Sequence, residues 1–325
     1  MTQPRSMLHF REATLDDADL VADLDSAITP DDPRDGAILR FWWTPHLAGE
    51  RAQRWVWVED GVARGFVFAG HSQWHEGQTR YGRASARLHP DAWNEQSYVD
   101  AWSRAEAWLK DANAEVAVSR VREDLEAELA LLDRLGFREV RRDRRWRLDL
   151  VRGRDRLLAA AEKTRAEMRG QGVTLLTVDQ DDDPDKLRKL YELDMETTED
   201  IPKTVPPPVP SFEEWSAMSF EHPGHRADRM WIAREGDEIV GLSFIAYPPS
   251  RGIPWTSFTC TARRVRGRGI ARALKYQTAA QAIALGAKYV QTDNDAANAP
   301  ILHLNDEMGY EPVQPVLELH RKLVQ

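Results

Sequence analysis

The sequence predicts a mixed α/β protein built from two tandem units. Three observations predict it. Strand-like and helix-like patterns alternate along all 325 residues. Their order then repeats. Gly61, Gly65 and Gly136 recur as Gly236, Gly241 and Gly309, at offsets of 175, 176 and 173 positions. Their neighbours also agree: Trp57-Val58 matches Trp231-Ile232, and Leu135-Gly-Phe matches Met308-Gly-Tyr. Between the copies lies a charged, alanine-rich, proline-free stretch that reads as a linker helix. The chain divides accordingly into 1–151, a linker at 152–171, and 172–325.

Taken in order, residues 8–11 read as a short strand. Thr14 with Asp17 three residues on has the form of a capping box, before a helix to about residue 24. Residues 34–47 carry tryptophans but no clear period. Residues 54–58 and 63–68, punctuated by Gly61, read as a hairpin. A strand at 84–88, a helix at 93–110 and a strand at 116–121 follow. A helix at 123–135 closes on Gly136, and two short strands at 137–140 and 145–150 end the first unit. The second opens with a strand at 173–178, then a helix started by Pro184 with Asp183 as its cap. A second hairpin spans 229–234 and 239–247, around Gly236. A strand at 255–261, a glycine turn and a helix stopped by Gly286 come next. A strand at 288–292, a helix at 298–308 and closing strands complete the chain.

Composition narrows the functional classes. With 42% apolar and 30% charged residues, the chain is that of a soluble globular protein. A net charge of −9 argues against nucleic acid as a general partner. The single cysteine, Cys260, excludes an internal disulfide framework and a tetracysteine zinc site, and no metal site is expected. No apolar run approaches the length that spans a bilayer, and residues 1–13 lack a signal-peptide core, so a cytoplasmic location without membrane contact is expected. Nine of the twelve tryptophans fall in the first unit. Trp42, Trp43, Trp55, Trp57 and Trp74 would line an aromatic pocket if they met, although core packing is the commoner use of such residues.

The most informative stretch is 255–275, a strand, a glycine turn and a helix start. Gly267 and Gly269 let the main chain approach a ligand closely, and the unpaired N–H groups of a helix N-terminus attract anions. Arg263, Arg264, Arg266, Arg268 and Arg272 surround the turn. A phosphate cradle and a solvated basic face are both open on these residues alone. The turn is neither a Walker loop, lacking Gly-Lys-Ser/Thr, nor a dinucleotide fingerprint, lacking the third glycine.

The turn resembles the Arg/Gln-x-x-Gly-x-Gly/Ala pyrophosphate loop of the GNAT (Gcn5-related) acyltransferases. Residues 292–310, from Thr292 through Asn298 and Asn305 to Gly309-Tyr310, resemble the second half of the same cofactor site. The resemblance extends to both units and implies two domains, each a central, mostly antiparallel, twisted sheet flanked by helices. The tandem architecture is similar to that of mycothiol synthase. It implies acetyl-CoA as co-substrate. The main chain at Cys260, Thr261 and Ala262 would pair with the pantetheine arm. Arg264, Arg266, Gly267, Arg268, Gly269, Ile270 and Ala271 would wrap the pyrophosphate, and Asn298 would reach the cofactor amides. A nucleophilic role for Cys260 is rejected, since it lies mid-strand with no partnered histidine and direct transfer needs no acyl-enzyme.

The sequence departs from the family in three places. The strand-end proline is replaced by Arg263, and the position of the usual tyrosine acid holds Asn305. Asparagine can hydrogen-bond a thiolate but cannot protonate it. The strand at 255–261 carries no carboxylate, so Glu196 is the candidate base, with Glu199 and Asp200 drawing in a cationic acceptor beneath the proline-rich 201–210 segment. Ser211 and Glu214 form a capping box that ends this cover. Asp293 and Asp295 lie near the expected thiol end, or simply cap the next helix. In the first unit the matching segment, 88–96, keeps Pro90 but puts Asn94 and Glu95 where the glycines should be. A carboxylate beside a phosphate is unfavourable, so this unit is expected to be structural or substrate-shaping. The expected activity is direct transfer of an acetyl group to a primary amine of a small molecule. The alternatives are a non-catalytic acyl-CoA sensor and a protein N-acetyltransferase. The expected assembly is a monomer that is internally a pseudo-dimer, or a weak homodimer.

Overall fold

The structure, a computed structural model, describes residues 9–323. Leu8, the first residue of the expected opening strand, lies outside them; the strand itself is β1, Arg11–Glu12. The capping box forms, with the Thr14 N–H donating to Asp17 Oδ2 at 2.8 Å. It opens a 3₁₀ turn that runs into α1, Ala18–Ile28. The unassigned 34–47 segment contains α2, Gly36–Trp43, whose first turn is capped by Asp35 accepting the Ala37 N–H at 2.8 Å. The hairpin is β2, Arg51–Glu59, and β3, Val62–His71, joined by Asp60 and Gly61 at φ of 52° and 75°. Both turn residues are left-handed, the requirement of the tight hairpin turn that matches strand twist.

β4, Tyr81–Leu88, α3, Glu95–Asp111, β5, Val116–Arg122, and α4, Glu126–Arg134, follow. The two short strands expected next are one continuous strand, β6, Arg138–Asp149. Its polar middle looks like a break in the sequence, yet each of those residues pairs with the C-terminal half, Arg141 and Arg142 with β12, Arg144 with β11, and Asp143 with both. α5, Arg154–Gly170, crosses to that half. There β7, Val173–Thr177, leads to α6, Lys186–Thr198, which begins after Asp185 rather than at Pro184. Asp183 pairs with Lys189 and Arg234 instead. α7, Phe212–Phe220, begins with the Ser211–Glu214 capping box. β8, Met230–Glu235, β9, Glu238–Ala246, β10, Trp255–Thr261, α8, Ile270–Ala284, β11, Tyr289–Asp295, α9, Ala299–Met308, and β12, Glu311–Lys322, complete the described chain.

The twelve strands form one sheet in the order β1-β2-β3-β4-β5-β12-β6-β11-β10-β9-β8-β7. Each half gives its last strand to the other. β6 lies against β11, from Tyr289 opposite Asp149 to Asp295 opposite Asp143. β12 lies against β5, from Val316 opposite Arg122 to Lys322 opposite Val116. Neighbours run antiparallel except β4 with β5 and β10 with β11. Trp146, Leu148 and Leu150 of the N-terminal half are buried among Tyr276, Ile283, Val290, Leu304 and Met308 of the other. At roughly 2 kcal/mol per large apolar side chain, these three alone hold the halves together firmly.

The five N-terminal tryptophans do not meet. Trp43 stacks on Phe66, Trp57 meets Phe10 edge-on, Trp74 stacks on His71, and Trp55 packs in the core beneath α3. Trp42 lies apart, against His46 and His222. Trp55 and Trp57, two residues apart on β2, share one face of the sheet, while Trp43 packs with Phe66, opposite Val56, on the other.

The exchange predicts the behaviour of a nicked chain. A protease site inserted after the exposed Val151 should yield fragments that co-elute in gel filtration and part only in denaturant. Separation under native conditions would show that the interleaved strands do not bind the halves.

Candidate active site

β10 and β11 are parallel neighbours that pair only at Trp255 and Gln291. A register irregularity in β10 between Thr256 and Phe258 follows that point. Beyond it the two strands have no pairing with each other, so main-chain groups facing this gap lack a ladder partner. The gap leads to the glycine turn. Gly267 and Gly269 have φ of 78° and 84°, left-handed values that side chains resist. A Cβ on Gly267 would meet nothing within 4 Å, so the turn's surface is open. Gly269 caps α8 without any side-chain bond, and the first helical bond runs from Ala273 N–H to the Gly269 carbonyl at 3.0 Å. The N–H groups of Ile270, Ala271 and Arg272 therefore have no helical partner, and unpaired N–H groups at a helix N-terminus favour anions.

The corresponding turn of the N-terminal half is closed. Asn94 caps α3 with its own side chain, accepting the Ser97 N–H at 2.9 Å, and Glu95 places a carboxylate in the first turn. The donor that would meet a phosphate in one half is already satisfied in the other.

The arginines of the open turn are all paired. Arg264 and Arg268 reach Glu235, each at 2.8 Å, and Arg264 also reaches Glu238. Arg263 pairs with Glu199 and Asp200 at 3.0 and 2.9 Å, and Arg266 with Asp200. Glu196 accepts the Arg263 N–H at 2.7 Å. The acidic run expected to draw in the acceptor thus sits at the mouth of the glycine turn, paired with its arginines. Those arginines hold the Asp200 carboxyl down at about 2. The reason is chain geometry: α6 ends beside the 3₁₀ turn Arg263–Val265 that follows β10.

Asn298 stands at the N-cap of α9, with no capping bond from its side chain. Asn305 does not line the gap. It is fully buried, accepting from Lys275 Nζ at 2.7 Å and donating to Asn294 Oδ1 at 2.7 Å. Any influence it has on the gap passes through Asn294, on β11 beyond the last β10 pair. Lys275 is also buried, over the Tyr310 ring at 4.7 Å. Burial pulls its amine down to about 7. Cys260 is buried, and loss of solvent pushes its thiol up to about 12, which makes it a poor nucleophile.

The sequence reading missed a charged face at the centre of the sheet. Residues directly opposite in neighbouring strands share a face. Asp295 lies opposite Asp143, Glu318 opposite Arg141, and Arg120 opposite Glu318. Arg120 pairs with Asp143 and, at 3.7 Å, with Asp293; Arg141 reaches Asp295 at 2.8 Å. Thr204, from the proline-rich segment, donates to Glu318, which also contacts His320 at 2.8 Å. Segment 201–210 therefore reaches past its own half, and its residues Thr204, Val205 and Pro206 help line a cavity of about 290 Å³ with Trp74, Tyr81 and Arg83. The signal was present: Arg141, Asp143 and Arg145 alternate along β6, and an alternation of charge marks one polar strand face.

Lys275 gives a test by pH. Its native amine titrates near 7 against an ordinary 10.5, so between those values the unfolded chain holds a proton that the native one lacks. Stability should rise with pH across that window, by at most about 1.4 kcal/mol per unit, and level off below it. Lys275→Met should flatten the rise in urea midpoints between pH 7 and 9; an unchanged slope would place the amine in contact with solvent.

Comparison with known proteins bears on both halves. Residues 187–310 match the model of the acetyltransferase (GNAT) family. No curated protein sequence matches the chain. Among solved structures, a tandem GNAT protein from the clavulanic acid biosynthesis pathway is similar over 97% of this chain and 98% of its own, with a TM-score of 0.72 at 15% identity. A GCN5-related N-acetyltransferase from Sphaerobacter thermophilus is similar over 97% and 95%, with a TM-score of 0.67 at 21% identity. FemX is similar over 97% of both chains, with a TM-score of 0.60 at 13% identity. The C-terminal half of this chain is an acyltransferase domain of the GNAT family, and the chain as a whole has the tandem GNAT fold.

Proposed function

We propose that the C-terminal half moves an acetyl group from acetyl-CoA to a primary amine of a small molecule by direct transfer. One observation carries the reading: the unpaired β10–β11 gap runs into an uncapped helix N-terminus bounded by two left-handed glycines. The residues fit an acyl-CoA. The vacant space over Gly267 admits a bulky anion, and the free N–H groups of Ile270, Ala271 and Arg272 face it. Arg264, Arg266 and Arg268 add charge, the main chain from Cys260 to Ala262 offers an edge to an extended arm, and Asn298 stands across the gap. Bound there, acetyl-CoA would supply the acetyl group as an activated thioester.

The chain's own residues then have two tasks. The turn arginines must exchange their carboxylate partners for phosphate oxygens, so Asp200 and Glu199 compete with the ligand and Glu196 holds the turn by its main chain. The acceptor's ammonium must lose a proton before its nitrogen can attack. β10 carries no carboxylate, so that proton leaves toward β11, where Asp293 is partly exposed.

Three measurements test the proposal. Thiol release from acetyl-CoA with a panel of small amines is the primary assay; tight CoA binding without turnover of any amine would sink the transferase reading. Gly267→Glu should weaken acetyl-CoA binding at least a hundredfold by calorimetry. A side chain at its φ of 78° costs about 1–2 kcal/mol, so Tm is measured alongside, and the loss of affinity should far exceed what that destabilisation explains. Retained affinity would remove the turn from the site. Asp200→Asn should tighten acetyl-CoA binding several-fold at low ionic strength, with the gain shrinking as salt screens the arginines. A variant that binds more weakly would mean that Asp200 positions the arginines rather than competing for them.

A further inference from the structure

β10 leaves β11 where its own register breaks. Trp255 pairs with Gln291, and the irregularity between Thr256 and Phe258 leaves Ser257 without a partner on β9. An extra residue of this kind re-aims its side chain, and such bulges recur beside active sites. Ser257 stands two residues past the last pair on β10, and Asp293 two residues past it on β11, so they flank the opening of the gap from opposite strands. Arg145 holds the level below. It donates to Gln291 at 3.1 Å, lies over the Trp255 ring at 5.0 Å, and is paired with Asp32 at 2.8 Å. Ser257 is exposed, whereas Thr256 is buried and Phe258 half-buried. Its hydroxyl is held by His225, on the loop between α7 and β8. The ring's Nδ1 lies 3.0 Å from the Ser219 carbonyl oxygen, and its Nε2 lies 3.2 Å from Ser257 Oγ. A carbonyl oxygen only accepts, so Nδ1 carries the hydrogen. Loss of solvent holds the His225 imidazolium down at about 4, so near neutral pH Nε2 is bare. The Ser257 hydroxyl then donates to Nε2, and Oγ has only lone pairs left to offer the gap. The ring is kept from turning by His222, stacked on it at 4.0 Å, and by Phe244, edge-on at 4.8 Å.

We propose that Ser257 holds the nucleophile: its Oγ, oriented by His225, accepts one N–H of the incoming primary amine and sets the nitrogen against the thioester, across the gap from Asp293. The inference rests on the acetyltransferase reading and adds to it the group that places the acceptor. Ser257 touches the substrate, and His225 is a positioning residue that acts through it. The protons balance. A primary ammonium has three N–H bonds. One proton passes to the Asp293 carboxylate and frees the nitrogen lone pair, which forms the C–N bond. The C–S bond breaks with its electron pair on sulfur, and a second proton leaves the nitrogen for that thiolate, giving CoA thiol. The third N–H, held by Ser257, remains in the amide product. A secondary amine lacks this third bond and has to give up Ser257 before the reaction is complete, so the pair selects primary amines.

The test is thiol release by the full chain, saturated with acetyl-CoA, with butylamine and N-methylbutylamine as probes. Ser257→Ala should lower kcat/KM for butylamine about tenfold, narrow the preference over N-methylbutylamine, and leave acetyl-CoA affinity unchanged. Ser257→Thr, which keeps the hydroxyl, should recover most of the loss. His225→Phe should cost as much as Ser257→Ala, and the double variant no more than either alone. A ring that only packed the loop would add its own loss to that of the serine. Nitrogen NMR of the His225 ring at pH 7 reads the orientation without any acceptor and without a variant that has to fold; the Nδ1–H tautomer is expected. Additive losses, an unchanged rate in Ser257→Ala, or an Nε2–H tautomer would overturn the proposal. No turnover of butylamine or of any other amine would instead count against the acetyltransferase reading, while the tautomer is still read, so the two failures are separable.

Discussion

The exchange of last strands is the constraint on which the rest of the structure depends. A strand completes its hydrogen bonds only beside a neighbour, and here the neighbours of β6 and β12 belong largely to the opposite half. The result is one sheet of twelve strands, not two sheets in contact. Its middle is made of β5, β12, β6 and β11, and every side chain on those strands is placed by both halves at once. Two sheets docked through side chains could rock against each other. A sheet continuous through its main chain does not, so access to the site has to come from segments that cross it, above all residues 201–210.

The C-terminal half concentrates its anion chemistry at one helix terminus. An α-helix carries the equivalent of about half a positive charge there, and five arginines add to it. Such a concentration is unfavourable without counter-charge, and the chain provides it from two directions: Glu235 and Glu238 on the β8–β9 side, Glu199 and Asp200 at the end of α6. Stability of the empty turn and readiness to accept a phosphate are therefore set by the same ion pairs. The acid that quiets the arginines is the acid a ligand must displace.

What could be read from the sequence was what local physics decides. Gly61 and Gly236 marked the hairpin turns, Gly136 a helix end, and Thr14 and Ser211 the capping boxes, because each acts within a few residues. The glycine turn at 267–269 was legible for the same reason. Strand exchange was not, since pairing partners far apart in sequence leave no local mark. The polar middle of β6 looked like a break because its partners, β11 and β12, lie more than 140 residues away in sequence. Asn305 was placed at the right turn of α9, but its burial depends on Lys275, thirty residues earlier. A lysine on a helix normally reads as a wet face. The clue was that α8 has almost no other charge after Arg272: a helix apolar all round has no wet face to offer.

The side chain of Asn94 has a consequence that outlasts its hydrogen bond. By capping α3 it contributes on the order of 1 kcal/mol to the N-terminal half. Reopening that helix terminus to an anion would require losing the cap, removing the charge of Glu95 and introducing a left-handed glycine. Each change alone lowers stability or leaves the terminus blocked, and none alone restores an anion site. The two halves are thus separated by a one-way step: the closed terminus is a resting place from which no single substitution leads back, while the open one has to be kept open against the stability that a cap would give.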